Sequence, residues 1–506
     1  MRNLLAWVML LSGVIACSKP EIPEQPPLNT DKAFTSFSFK SANNSLALLR
    51  DLRCSISGDT IFGRVPYLTT LDSMVASFSV NGVLVQVEEK TQLSDVSYIN
   101  FKSPVTYTVY AEDGTSRNYT VILTQLNGLP IVSIDTKDRN PVNSKEEYRE
   151  GEMKIIADGR TESDYTGKMQ IRGRGNSTWD MPKKPYRIKL NSKASVLGMP
   201  ADKDWVLLAN YADKTLMRNR IAFSVSEIFA PSYTPRGQFV DLFLNGEYMG
   251  NYFLTEHMKV ADNRIKLSES SDEDTGFLLE VDARLDEDNW FYTPRGIPVC
   301  IKSPDADDIS NEQLRFITDY VNKTEAAIYS DNFGDPENGF RKYIDEESFI
   351  KWYWVNELMK NNDAVFFSSV FMYKDRGGKL SLGPVWDFDI SSGNVNYNDN
   401  YDPPGWWIRA SRWIDRLFED PEFKKKAKSM WIQAQPQLSN IAAMADKYAQ
   451  QLKYSQQQNF EKWNILDTGV WPNLVVLGSY ENEVQYLKYW LDKRAKWISA
   501  EISNDD

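Results

Sequence analysis

Two stretches decide the fold: RGRGNSTWDMPKKPYRIKL at residues 172–190 and GPVWDFD at residues 383–389. The first joins a turn with two glycines to a strand on which polar and apolar side chains alternate. The second carries two carboxylates, Asp387 and Asp389, at i, i+2 spacing. On an extended segment both carboxylates point the same way, so this pair predicts a site for a hard cation such as magnesium.

The glycine-containing turn at residues 172–178 predicts contacts to a phosphate. Gly173 and Gly175 allow backbone amides to approach an anion closely, and the flanking polar side chains add donors. Arg172 and Asn176 are the candidate side-chain contacts. A plain hairpin turn explains the same residues, so both interpretations stay open.

The strand that follows the turn supplies candidate lysines. Kinase-like folds hold ATP phosphates with a glycine-rich turn and a lysine on a nearby strand. Lys189 is the first candidate for this role and Lys184 the second. A solvated strand face accounts for these lysines equally well.

The acidic side of the site begins at Asp363, which ends a helix rich in aromatic residues. We expect Asp363 to orient or deprotonate an attacking hydroxyl. Asp387 is the second candidate catalytic residue and a metal ligand, and Asp389 is the second metal ligand. The alternative is that Asp387 and Asp389 are carboxylates that cap turns.

Three further residues are weaker candidates. Glu256 closes a predicted hairpin and is expected to contact a nucleotide or pair with a lysine. Arg218 lies on a predicted helix over residues 216–229 and is a candidate for binding a phosphate or a carboxylate. The single histidine, His257, is expected to be a packing or surface residue, and its being alone excludes mechanisms that need two histidines.

Length and composition indicate a soluble protein with at least two domains. The chain has 506 residues, more than a single core usually holds. Hydrophobic residues make up 42% and charged residues 25%, which is ordinary for a globular protein. The net charge of -12 argues against sequence-independent binding to nucleic acid.

The N-terminus predicts export and lipid anchoring. Residues 1–16 have a positively charged start and a short apolar run, the pattern of a signal peptide. The run ends in VIAC, which resembles a bacterial lipobox and makes Cys17 the expected lipidation site. Residues 17–32 are a Pro-rich linker. The other two cysteines, Cys54 and Cys300, are expected to be free thiols.

The domain pattern is α+β. Residues 33–127 contain short alternating stretches separated by turn residues, which predicts an Ig-like β-sandwich. This segment resembles the modules that precede larger domains in Bacteroidetes surface lipoproteins. Residues 130–502 mix strands and helices and become almost wholly helical after about residue 406. In this helical part, the lysines at 424–426 are expected to form a solvated helix face. Trp406 and Trp407 are expected to form a platform that stacks on sugars.

Four motifs in order resemble the spore coat protein H (CotH) kinase family: residues 172–190, 205–223, 245–260 and 383–394. The resemblance covers most of residues 130–500. It implies an atypical kinase-like fold that uses ATP and magnesium or manganese to phosphorylate Ser or Thr of a protein or surface polymer. It also places Asp363 at the catalytic position and Asp387 at the metal-binding one. A lipid anchor implies a bacterial membrane, with either face of the outer membrane as the expected location.

One departure from ordinary protein kinases bears on the metal. Those enzymes place an asparagine ligand five residues after the catalytic aspartate, where this chain has Ser368. Asp389 is expected to supply the missing oxygen. Two other functions stay open: a surface adhesion lipoprotein with little transfer activity, since ATP is scarce outside the cytoplasm, and a glycan-processing enzyme with paired carboxylates.

Overall fold

The computed structural model describes residues 27–44, 48, 51–65, 71–125, 129–156 and 165–504. The predicted signal peptide and Cys17 lie outside the described residues. The chain divides into two compact units, one formed by the described residues up to Thr124 and one by those from Gln125 onward. Cys54 and Cys300 are both free, as expected.

Strands are almost the only regular secondary structure among the described residues of the first unit. A three-stranded sheet has the order β2-β1-β6, a six-stranded sheet the order β3-β4-β11-β10-β7-β8, and β5 pairs with β9. Aromatic rings fill the space between sheets, since Phe37 lies edge-on to Tyr107 at 5.4 Å. The strands are β1 Phe34–Phe39, β2 Leu52–Arg53, β3 Ser55–Ser57, β4 Thr60–Val65, β5 Met74–Val75, β6 Ser77–Val80, β7 Leu84–Val87, β8 Lys90–Thr91, β9 Tyr98–Ile99, β10 Val105–Tyr110 and β11 Ser116–Gln125, with a 3-10 turn at Ser41–Asn43.

The second unit begins with a closed barrel. Its strand order is β12-β13-β14-β15-β16-β18-β17, and the parallel pairing of β12 with β17 closes it. Alternate side chains fill the interior, so that Ile188 and Leu190 are buried while Lys189 between them is exposed. The barrel strands are β12 Ile131–Thr136, β13 Arg149–Ile156, β14 Tyr165–Gly173, β15 Tyr186–Val196, β16 Met199–Leu208, β17 Gly237–Leu244 and β18 Glu247–Glu256.

An antiparallel sheet follows the barrel, with the order β20-β21-β19-β22-β23. Before this sheet, the last two barrel strands, β17 and β18, form a hairpin that turns at Asn245 and Gly246. Both residues have a positive φ, as the Asn-Gly pair predicts. The sheet strands are β19 Phe277–Val281, β20 Trp290–Tyr292, β21 Pro298–Ser303, β22 Val370–Lys374 and β23 Leu380–Leu382.

Helices pack around this sheet and form the C-terminal part. Helix α4 is buried on nearly all sides, so its rings join the largest core of the molecule. Five tryptophans of these helices are buried: Trp352, Trp354, Trp413, Trp431 and Trp490. The helices are α1 Ser177–Asp180, α2 Arg218–Phe229, α3 Asn311–Ile328, α4 Glu346–Met359, α5 Arg412–Leu417, α6 Pro421–Leu438, α7 Ile441–Leu452, α8 Ser455–Lys462 and α9 Tyr480–Asn504, with 3-10 turns at Lys137–Arg139, Phe340–Lys342, Asp399–Tyr401 and Ile408–Ala410.

The α+β class is therefore confirmed. Among the described residues, no helix combines the length and the apolar character that crossing a bilayer would require.

Candidate active site

A polar cleft of about 490 Å³ lies where the barrel, the sheet and the segment after β23 meet. The turn at residues 172–178 forms one wall, β19 and β21 form another, and residues 386–390 form the floor. Charged side chains of both signs line it: Arg172, Arg174, Arg187, Glu280, Asp282, Arg284, Glu287, Lys302, Asp363, Asp387 and Asp389.

The end of α4 sets the position of Asp363. Lys360 adopts a left-handed conformation that terminates the helix and turns the chain toward the cleft. Asn361 Nδ2 then donates to the backbone oxygen of Trp386 at 3.2 Å. This bond holds the residues before Asp363 against those before Asp387. Asn362 Nδ2 donates to Asp363 Oδ1 at 2.8 Å and so orients the carboxylate.

Three hydrogen bonds tie residues 387–389 to other residues of the second unit. The Phe388 amide donates to Asn219 Oδ1 at 2.9 Å, and Asn394 Nδ2 donates to the backbone oxygen of Asp389 at 2.8 Å. Ser369 Oγ donates to Asp387 Oδ2 at 3.3 Å. Asp387 has a φ of 64°, so the backbone between the two carboxylates includes a left-handed residue. The prediction that this segment is extended is therefore wrong.

The three carboxylates interact strongly. Burial and the nearby charge of Asp387 raise the pKa of Asp363. Burial, together with Asp387 and Asp363, raises the pKa of Asp389 well above its usual value. Such a cluster of like charges is the arrangement that a divalent cation or shared protons stabilise.

Arginines face these acids across the cleft. Burial lowers the pKa of Arg174, whereas Asp387, Glu280 and Asp389 act in the opposite direction. Arg284 Nη1 donates to Ser368 Oγ at 2.8 Å and to Asp282 Oδ1 at 3.2 Å. With its amide oxygen turned toward Arg284, Asn176 accepts bonds from Nε at 3.2 Å and Nη1 at 3.0 Å.

A lysine between two glutamates completes the sheet wall. Lys302 Nζ lies 3.4 Å from Glu280 Oε2 and also pairs with Glu287. Burial raises the pKa of Glu280 to about 7, although Lys302 opposes this shift. Burial disfavours the charged form of Lys302, but Glu280 and Glu287 raise its pKa overall, so the ammonium stays charged.

The donor set fits a magnesium ion only in part. Carboxylate oxygens are the hard ligands that this ion prefers, and Asp387 and Asp389 would hold it beside Asp363. In the part of the chain that the structure describes, no three or more His, Cys, Asp or Glu side chains are grouped so that together they could hold a metal ion. Magnesium usually keeps several waters and phosphate ligands, so a full protein cage is not required.

The CotH kinase protein family matches residues 171–498, which include Asp363, Asp387 and Asp389 of the cleft. The chain belongs to the CotH kinase family. No curated protein matches it significantly. A crystal structure of a candidate glycoside hydrolase from Bacteroides thetaiotaomicron is similar at 14% identity, covering 56% of this chain and 77% of that one, with a TM-score of 0.16.

Within this CotH domain the structure brings together five of the expected site residues: Asp363, Asp387, Asp389, Arg172 and Asn176 line the same cleft.

The two candidate lysines do not line the cleft. Lys189 is exposed and lies two residues beyond Arg187, which occupies the cleft wall in its place. Lys184 Nζ donates to the backbone oxygen of Trp179 at 2.5 Å and lies over the Trp179 ring. Neither lysine is therefore placed to hold a phosphate in this cleft.

Arg218 and Glu256 are buried structural residues. Arg218 Nη1 pairs with Asp213, and its Nε donates to the Ser391 oxygen at 3.2 Å. Glu256 accepts bonds from the Tyr233 hydroxyl and the Arg236 amide, each at 2.9 Å. The expectation that Arg218 and Glu256 contact a nucleotide is wrong, because their polar atoms are engaged away from the cleft.

Gly173 of the turn serves packing and does not offer an open amide. A Cβ on Gly173 would lie 2.2 Å from the Trp179 ring, so glycine is needed for that close approach. The amide of Gly173 donates to the Ser144 oxygen at 2.8 Å, and that of Arg174 to the Pro185 oxygen at 3.2 Å. Side chains, chiefly Arg172 and Arg174, are what this turn presents to the cleft.

Several cleft residues were not predicted as site residues. Glu280, Asp282 and Arg284 alternate along the end of β19 and the residues after it, and Lys302 lies on β21. Charges at every second position after the apolar run at residues 277–279 are a signal that was available. His257 also lines the cleft, and burial and then Arg187 lower its pKa well below the usual value.

Proposed function

We propose that the second unit is a kinase-like domain that transfers a phosphoryl group from ATP to a Ser or Thr hydroxyl of a protein or surface polymer. The observation that carries the proposal is the convergence of Asp363, Asp387 and Asp389 in one cleft that also holds Arg174 and Lys302. Phosphoryl transfer needs this combination, since anionic phosphates must be positioned and their charge neutralised.

Each acidic residue has a separate role in the proposal. Asp363 orients the acceptor hydroxyl and takes its proton as the oxygen bonds to the terminal phosphorus and the bond to the ADP oxygen breaks. The raised pKa of Asp363, caused by burial and by Asp387, suits a proton acceptor. Asp387 and Asp389 hold magnesium or manganese, which neutralises phosphate charge when bound.

Cations on the opposite walls hold the phosphates in this scheme. Arg174 and Arg284 present planar guanidinium groups, which bind phosphate oxygens in pairs. Lys302 takes the role that the sequence suggested for Lys189, because it keeps its charge between Glu280 and Glu287 in the cleft wall.

We further propose that the first unit is an Ig-like β-sandwich that spaces the catalytic domain from a membrane. Its sheets share an aromatic core around Phe34, Phe37 and Tyr107. The lipobox at Cys17 would anchor the chain, and the outer membrane is the proposed location.

Label transfer from ATP tests the proposal. The mature chain is incubated with terminally labelled ATP and magnesium or manganese, with Asp363→Asn and Asp387→Asn as the site variants. Asp319→Asn, an exposed change on α3, is the charge-matched control. We expect transfer by the parent and the control only. Transfer that survives in both site variants would refute the assignment, and a parent that binds no nucleotide would favour the adhesion lipoprotein.

A further inference from the structure

A second cavity, of about 300 Å³, lies among the C-terminal helices and shares no lining residue with the cleft. Its floor is apolar and is formed by Trp354, Phe418 and Ile502 together with the half-buried ring of Trp406. The volume is at the lower end of the range for small-molecule sites.

Among the described residues, every ionisable side chain that lines this cavity is a cation: Arg409, Lys424, Lys425 and Lys428. The helical spacing of α6 accounts for the three lysines, since positions 424, 425 and 428 share one face. The protein as a whole carries a net charge of -12, so a cavity rimmed only by positive charge is a local departure from its composition.

The three lysines at 424–426 differ in whether they line the cavity and whether they pair with a carboxylate. Lys426, which does not line it, pairs with Glu346. Among the described residues, neither Lys424 nor Lys425 pairs with a carboxylate, and both line the cavity. The two ammonium groups are therefore available to an anion, whereas their neighbour in sequence is already compensated.

Arg409 brings charge onto the apolar floor. Its guanidinium carbon lies 4.7 Å from the ring centroids of both Trp406 and Phe418. A cation packed on two aromatic faces stays close to apolar surface, where an ion pair is less screened than in open water. The cavity thus offers an apolar surface and a cationic rim within the length of one small ligand.

We propose that this cavity binds a small amphipathic anion from solution, with its apolar chain or ring on Trp406 and Ile502. Its carboxylate, sulfate or phosphate would lie between Lys424 and Lys425. The apolar part gains from burial, and the anionic part from charge-assisted bonds that a neutral ligand lacks. This site is independent of the proposed phosphoryl transfer.

Calorimetric titration of the mature chain with decanoate tests the site, with decylamine at the same concentrations as the chain-matched cation. We expect decanoate to bind and decylamine not to bind. Lys425→Glu should weaken decanoate binding about tenfold or more, because it replaces an attractive charge by a repulsive one. Lys323→Glu, an exposed change on α3, is the matched control and should leave binding unchanged.

A second variant and a vesicle arm separate the alternatives. Trp406→Ala should weaken decanoate binding by removing the apolar surface, with melting temperatures confirming that each variant is folded. Equal binding of decanoate and decylamine, or equal effects of Lys425→Glu and Lys323→Glu, would overturn the proposal. So would binding to anionic phospholipid vesicles without binding of decanoate, since the lysines would then form a membrane-contacting patch.

Discussion

At the residue scale, Asp387 combines a left-handed backbone with a like-charge environment. Aspartate and asparagine tolerate a positive φ better than other side chains do. In the absence of metal, Asp387→Asn should therefore be as stable as the parent or more stable, because it removes repulsion with Asp389. Asp387→Ala should be less stable than Asp387→Asn by about 1 kcal/mol, because alanine keeps the backbone strain without local polar bonds.

Urea unfolding of the parent and the two Asp387 variants in EDTA measures this difference. If the alanine variant is as stable as the asparagine variant, the left-handed conformation does not constrain this position. The φ of Asp387 was not predictable from the sequence, because hydrogen bonds to residues distant in sequence hold the segment: the Phe388 amide donates to Asn219, and Ser369 donates to Asp387.

Glu280 should give the stability of the protein a distinct pH dependence. Burial raises its pKa to about 7 from 4.5, so the folded state holds this proton more tightly than the unfolded chain does. Its contribution to stability is therefore present below about pH 4.5 and is lost as the pH rises through 7. Glu280→Gln removes this loss. The unfolding free energy of the variant minus that of the parent should therefore grow by up to about 3 kcal/mol as the pH rises from 4.5 to above 7.

Denaturant titrations of both proteins at a series of pH values between 4 and 8 provide the test. Glu337→Gln, an exposed change in the same unit, is the charge-matched control. A free-energy difference that stays flat across this range would show that Glu280 is not desolvated in solution.

At the scale of elements, helix α2 stabilises the segment at residues 387–392. Arg218 pairs with the buried Asp213 and donates to the backbone oxygens of Ser391 and Ser392, just after Asp389. Arg218→Met should therefore lower the unfolding free energy by about 3–5 kcal/mol, because Asp213 keeps a buried charge without its partner. Arg220→Met, which breaks a more exposed pair with Glu227, should cost less than about 1 kcal/mol.

Thermal and urea unfolding of these two variants shows whether Arg218 is a structural residue or a phosphate-binding one. If Arg218→Met keeps the stability of the parent but loses affinity for ATP, Arg218 is a phosphate contact and not a structural support.

The sequence predicted local elements well and closure of the barrel not at all. The Asn-Gly turn fixed the hairpin of β17 and β18, and alternating residues identified β15. Closure depends on the parallel pairing of Ile131 with Asp241, far apart in the chain, which leaves no local pattern. For the same reason Lys302 was not predicted, because it reaches the cleft only once β21 joins the sheet.

At the scale of the whole molecule, an acidic protein concentrates opposing charges in one cleft. Three carboxylates converge on one side and Arg174, Arg284 and Lys302 lie on the other walls. Without a ligand the carboxylates repel one another, as the raised pKa values of Asp363 and Asp389 indicate. A divalent cation with a polyphosphate would balance both sets of charges at once, so metal and nucleotide should bind cooperatively.

The most direct test is a calorimetric titration of the mature chain with ATP, in magnesium and in EDTA, for the parent and for Asp387→Asn. We expect the parent to bind ATP in magnesium and to bind it about tenfold more weakly, or worse, in EDTA, because the phosphates then meet the uncompensated acidic cluster. We also expect Asp387→Asn to lose this dependence on magnesium. Parent binding of equal strength in magnesium and in EDTA, or no binding by the parent in either, would rule out a metal-dependent nucleotide site in the cleft.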